Sequence, residues 1–438
     1  MDISIGIRSA RMSTSNSTWR IAAVAAMLLA VSVSGFGAVR NNGKKKIEFT
    51  TESKEARDYV SQIVSQIETF QVGPQTTALA KKAVEADPKF AFGYYLLATT
   101  APTPAENKQY SEKAVELSKN ASDGERRYIE AVLLTRAQKF DEAISIFLDL
   151  SKSYPDERMV QMLLGQVYTN TGKLIEAKNA FEKAIQLDGG TPRAYTFLGN
   201  IELLKGDYGK ARQSFNAALA RQAKGSAPFG PNYGIAFAYI YEGNIKAGLK
   251  QLEAYQADYA SSPQQQNFPA VFIWNSIARL HLEYGKPEDA IKAYQKGYDT
   301  IPGSNLDEIQ KKTWLGRLHH GTGRALAKMG KNEEAWKEAD LIKKMIEENG
   351  KEGEAFWPSY HYLVGYLKLE SGEYDKAVEH LKQTDLTDPF HKLLLARAYD
   401  KTGDTANSQK LYREITEFNQ LTLERALAYP EAKRKLKA

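Results

Sequence analysis

Between Glu125 and Arg221 the chain repeats itself every 34 residues, with alanine at 143, 177 and 211, phenylalanine at 147, 181 and 215, and glycine at 172 and 206. A fixed period of this size marks one supersecondary unit stacked on copies of itself, because a single unit cannot bury its apolar face alone. Within a period the apolar residues fall at helical spacing: Leu163, Leu164, Val167 and Tyr168, then Ala177, Ala180, Phe181, Ala184 and Leu187. The pattern predicts an all-α stack of helical hairpins, and it leaves little room for a catalytic centre.

Turn signals punctuate the pattern at Gly172, Gly206, Gly243, Gly285, Gly330, Gly372 and Gly403. A glycine just past a helix end is expected where the chain leaves through the left-handed region. Successive intervals of 34, 37, 42, 45, 42 and 31 residues show the repeat loosening toward the carboxyl end. The added length is assigned to Ser261–Gln266, Gly303–Asp307 and the surroundings of Asn349-Gly350, as longer helices or inter-repeat loops.

The units resemble tetratricopeptide repeats, whose pattern is W-x2-L-G-x2-Y, then A-x3-F, then P. One repeat carries Leu164-Gly165, Tyr168, Ala177 and Phe181, and the next Leu198-Gly199, Ala211 and Phe215 with Tyr195 in the Trp slot. Later copies carry Trp274, Ala290, Tyr294 and Pro302, then Val364-Gly365, Ala377, Leu381 and Pro389, while Pro88 and Pro155 close earlier units. The resemblance implies a right-handed superhelical solenoid of about ten hairpins over most of residues 57–422. The best-matching repeats are expected near 124–157, 158–191, 192–225, 229–262, 271–304, 316–349, 358–391 and 389–422. Each motif residue has a packing reason: a small residue on the first helix admits the second helix closely, and Ala-x3-Phe sets a gap beside a knob.

Both ends lie outside this pattern. Arg8, Arg11 and Arg20 precede an uncharged apolar run from Ile21, and small residues follow at Ser34, Gly35, Gly37 and Ala38. Residues 1–37 therefore read as a signal peptide or an amino-terminal membrane anchor, since the uncharged stretch 21–39 is about long enough to span a bilayer. Either way the body is expected outside the cytoplasm, periplasmic or membrane-anchored. Residues 38–55 read as a polar basic linker, 56–428 as the solenoid and 429–438 as a solvated basic tail. With 59 basic and 53 acidic side chains the net charge is only +6, and Lys44–Lys46 and Lys433–Lys437 sit at the ends, so no basic face for nucleic acid is expected. The lack of cysteine excludes disulfides, thiolate metal sites and a cysteine nucleophile.

No phosphate loop, dinucleotide fingerprint, H-E-x-x-H or G-x-S-x-G occurs, and the adjacent His319 and His320 point about 100° apart on a helix, so neither cofactor nor metal is expected. The informative positions are those that packing does not need. The resemblance implies that first helices line a concave groove, reached by the residue after the small Gly or Ala and the residue four before it. In order these are Met162/Gln166, Thr196/Asn200, Tyr233/Phe237, Asn275/Arg279, His320/Arg324, Tyr362/Tyr366 and Leu393/Arg397. Arg279 and Arg324 are expected to face one groove, where guanidinium forks suit carboxylates and rigid aromatics add apolar contact. The expected function is a non-catalytic protein-interaction scaffold whose partner-binding groove uses Asn200, Tyr233, Phe237, Asn275, Arg279, His320, Arg324, Tyr362, Tyr366 and Arg397. Its partner is a protein or peptide segment, extended or helical, with acidic groups. The competing reading of the same residues is ordinary intramolecular packing; a binder of glycan or small anions and an enzyme with its site built across repeats are the other two.

Overall fold

The computed structural model describes residues 45–222, 224–262 and 269–437, so the expected signal or anchor, the first residues of the expected linker and part of the Ser261–Gln266 insertion lie outside the described residues. The chain divides at Lys224/Gly225 into two compact units. In the first, five helix pairs follow one another: α1 (Lys54–Glu68) with α2 (Pro74–Ala86), α3 (Ala91–Thr100) with α4 (Pro104–Ser118), α5 (Asp123–Arg136) with α6 (Phe140–Ser153), α7 (Arg158–Asn170) with α8 (Leu174–Leu187), and α9 (Pro192–Leu204) with α10 (Tyr208–Leu219). Proline stands at the first helical position of α2, α4 and α9, where its missing amide costs nothing.

The pairs are held at close range by the repeat residues. Gly165 on α7 has the Phe181 ring of α8 against it, and a Cβ there would stand 2.5 Å from that ring. Gly199 meets Phe215 in the same way at 2.7 Å. Phe147, Phe181, Ala143 and Ala177 are fully enclosed in one continuous core that runs through the unit. Gly165→Val is expected to destabilise the first unit by about 1–3 kcal/mol through overpacking, read as a lower urea midpoint.

The second unit has five further pairs: α11 (Phe229–Tyr241) with α12 (Ile245–Ala260), α13 (Val271–Tyr284) with α14 (Pro287–Tyr298), α15 (Glu308–Lys328) with α16 (Asn332–Glu348), α17 (Trp357–Glu370) with α18 (Tyr374–Leu381), and α19 (Pro389–Thr402) with α20 (Thr405–Glu417). The loosened repeat has a plain cause here. Helix α15 is 21 residues long and α16 is 17, and an extra turn, Gly350–Gly353, followed by a 3-10 turn, Glu354–Phe356, precedes α17. Gly321 on α15 receives the Tyr294 ring of α14, with a Cβ position only 2.3 Å from it.

Three expectations change. Gly172, at φ +73°, leaves α7 through the left-handed region, but Gly285 has φ −119° and lies against the His281 side chain and backbone instead. Residues 45–51 are not a loose linker, because Ile47 and Phe49 are buried against the first unit, and from Lys54 the chain is already helical. Residues 429–435 are not a loose tail, because they end a final helix, α21 (Leu423–Lys435), with Ala432 buried; Lys433, Arg434, Lys435 and Lys437 are exposed.

Candidate interaction site

Helix α21 packs on the first helices α11, α13 and α19 of the second unit and on α20. Thr422 caps it, its hydroxyl accepting the Arg425 amide at 3.0 Å. Glu424 and Glu431 are seven residues apart, two turns along, and so share a side of the helix. That side meets arginine. Arg279 on α13 donates to the Glu424 carboxylate, and Arg397 on α19 grips Glu431 with a two-pronged fork of 3.0 and 2.7 Å. Between the two pairs the Tyr284 hydroxyl donates to the Leu427 carbonyl at 2.7 Å. Next to them Arg425 lies over the rings of Tyr241 and Tyr429, which meet edge-on at 5.3 Å. At the far end Lys435 donates to Asp400 at 2.8 Å.

The Arg279–Glu424 pair is desolvated, and the Arg397–Glu431 and Lys435–Asp400 pairs are part-exposed. The Arg279 side chain is 12% exposed and that of Glu424 is 6%. Burial works to raise the Glu424 carboxyl, but Arg279, a backbone amide and Arg317 outweigh it and hold the group below the ordinary carboxylate range. Glu431 is held down against burial by Arg397 in the same manner. Burial pushes Arg317 down to about 10, opposed by the nearby Glu424 charge. Glu283 on α13, at 2% exposure, lies 3.6 Å from Arg397 and 3.9 Å from Lys328.

The expected groove residues divide into four groups. Arg279 and Arg397 point at carboxylates, as their chemistry predicts, but the carboxylates belong to the chain itself. Arg324 does not join them: it is enclosed, donating to the Tyr294 hydroxyl at 3.0 Å and to the Tyr362 hydroxyl, and it lies over the Tyr362 and Tyr366 rings. Arg324 lies near Arg279, close enough for the two charges to repel, but tyrosines enclose it and take its donors. Tyr233, Phe237, Tyr362 and Tyr366 are buried in packing, with Tyr233 bonded to Ser276 Oγ at 2.9 Å and the His320 ring tilted against Tyr362 at 4.4 Å. Asn275 is half-buried on α13, and Asn200 is buried on α9 of the first unit. Sequence reasoning missed Tyr241, Tyr284 and Arg317, and it missed α21. Its signal was present in Leu423, Leu427 and Ala428 at helical spacing, interrupted by Pro430.

The first unit also holds a segment of its own chain on its first helices. Residues 45–51 cross the starts of α7, α5 and α3 in an extended form. The Lys45, Ile47 and Thr50 amides donate to Asp156, Glu157 and Glu125 at 2.8, 3.3 and 2.6 Å. Phe49 lies on Phe92 at 4.0 Å and meets Tyr128 edge-on. Deeper in, Arg158 pairs with Glu68 at 3.3 Å, and Arg193, 1% exposed, sits over the Phe70 and Phe197 rings. Ile47→Ala is expected to cost about 2 kcal/mol and to release amide protection of residues 45–51 in hydrogen exchange.

Acid is expected to act on the two units with opposite sign. Burial depresses His391 to about 4 and His320 well below its ordinary value. Stability from a depressed group is complete above the unfolded value, roughly 6.5 for histidine, and is lost as pH falls through the folded one. Glu424 and Glu431 add a further loss once pH drops below roughly 4.3. In the first unit burial raises Glu68, Glu125 and Glu157, so their contribution is complete at low pH and lost as pH rises through the raised values. Among the described residues the tryptophans (Trp274, Trp314, Trp336 and Trp357) all lie in the second unit, so their fluorescence should show that unit unfolding at lower urea at pH 5 than at pH 7.

A family model described as tetratricopeptide repeat matches residues 170–228, the stretch that holds α8, α9 and α10 with their Gly199–Phe215 contact. The chain is a tetratricopeptide-repeat protein. This tetratricopeptide-repeat protein is 26% identical over 255 residues to the type IV pilus assembly protein PilF of Pseudomonas aeruginosa, covering 56% of the chain and 98% of that relative. Among solved structures it is similar to the APC/C hetero-tetramer Cut9–Hcn1, with a TM-score of 0.43 and 14% identity over 83% of the chain, and it spans 57% of the length of that chain. It is also similar to PilW, a type IV pilus biogenesis factor, with a TM-score of 0.39 and 16% identity, covering 50% of the chain and 92% of that structure. Among the described residues no helix is long and apolar enough to cross a membrane.

Proposed function

We propose that this protein is a non-catalytic protein-interaction scaffold outside the cytoplasm, and that the first-helix face of its second unit receives an acidic helical segment. The observation that carries this reading is the pairing of Arg279 with Glu424 and of Arg397 with Glu431. Two arginines on separate first helices, Arg279 desolvated and Arg397 part-buried, are matched by two carboxylates at one helical spacing, so the face suits a helix with acids in that register. Preorganised helices suit such a role because only the partner segment loses conformational freedom on binding. The likeness to a pilus assembly protein supports an assembly role in the cell envelope, as does the apolar run at 21–39, which would export or anchor the body.

The test is capture by a photo-crosslinking amino acid placed at half-buried Asn275, comparing the otherwise wild-type protein with Arg279→Glu/Arg397→Glu in an envelope fraction. Partners crosslinked to the first and absent from the second are expected. The same set returning from both would remove the site from the function.

A further inference from the structure

We propose that α21 is an exchangeable resident of the second unit, and that the external partner displaces it with an amphipathic helix carrying two carboxylates seven residues apart. The inference rests on the reading above and adds the partner's chemistry and the means of access.

The contact surface of α21 is that of a ligand. Its two acids reach two arginines, its carbonyl at Leu427 takes the Tyr284 hydroxyl, and Leu423, Leu427, Ala428 and Ala432 fill the space between. The five helix pairs of the second unit are complete before it begins, so it is an addition to the repeat and not a member of a pair. Helix α21 is also weak by itself. It has 13 residues, short for an isolated helix in water, and Pro430 inside it removes an amide from the ladder. A helix of this kind exists because the groove holds it. Residues 418–422 join it to α20, and it lies outside every helix pair, so its release breaks no pair. Without Glu424 and Glu431 the face keeps Arg279, Arg317 and Arg397 beside the buried Glu283, so a replacement must bring two carboxylates in this register, as the resident does although it also carries Arg425, Lys433, Arg434 and Lys435.

A tethered helix competes with any added one, and the apparent affinity for a newcomer falls by the fraction of time the site is open. The test uses the full chain and a fluorescein-labelled peptide of residues 419–438. Two variants weaken the resident helix and leave the groove residues untouched: Glu424→Gln/Glu431→Gln and Leu427→Ala/Tyr429→Ala. Fluorescence anisotropy is expected to show each variant binding the wild-type peptide at least about tenfold tighter than the wild-type chain does. A peptide carrying both Gln substitutions is expected to bind at least about tenfold more weakly than the wild-type peptide.

Circular dichroism establishes that each variant is folded, and the apolar variant carries the test should the charge variant fail to fold. Equal peptide affinity for wild type and variants, or equal binding of the Gln peptide, overturns the proposal. A dimer of the variant by light scattering overturns it as well, since the occupant would then be the helix of a second copy. This titration needs no cellular partner, so its failure and that of the crosslinking experiment are separate results.

Discussion

Glu424→Gln is expected to destabilise the second unit by about 3–5 kcal/mol, because it leaves the Arg279 guanidinium desolvated and without its counter-charge. Much of that cost comes from stranding Arg279, so Arg279→Met/Glu424→Leu should recover most of it, an apolar pair of similar volume being near neutral where a broken ion pair is not. Urea unfolding followed by tryptophan fluorescence gives the magnitude. Hydrogen exchange at Leu427 to Lys435 localises it: those amides should lose protection before the amides of α13 and α19 do. If the double replacement were as damaging as the single one, the pair would matter for its shape and not for its charge.

Phe181→Ala is expected to cost a similar 3–5 kcal/mol in the first unit. The ring is 1% exposed, fills the gap that Gly165 leaves on α7, and stacks on Phe197 of α9 at 5.3 Å. Its removal opens a cavity shared by three helices, and close-packed helices collapse into such a space only in part. In a repeat array each unit touches its neighbours, so the lost protection should centre on α7, α8 and α9 and fade toward α1. Uniform loss across α1–α10 would mean that the first unit unfolds as one cooperative block.

Much of the fold is legible because the repeat residues act locally. Gly165 and Phe181, or Gly199 and Phe215, are joined through one short turn, and a 34-residue period states that relation three times over. The face that α21 covers was legible in residue type and not in its occupant. Arg279 and Arg397 carry the chemistry read from their positions, but their carboxylates stand 145 and 34 residues further along the chain. Arg324 lies near Arg279 as expected, but its donors are taken by Tyr294 and Tyr362, which no spacing in the sequence announces.

The sequence by itself determined the unit, its period, the helix pairs and the residues that weld them, since all of these depend on spacing within a few turns of helix. Only the tertiary structure decided what lies on the first helices. Residues 45–51 and α21 look polar and peripheral in sequence because their partners are scattered: Asp156, Glu157 and Glu125 for one, Arg279, Tyr284 and Arg397 for the other. Such contacts form between residues remote along the chain once stacking has brought the first helices side by side, and a periodic pattern carries no record of them.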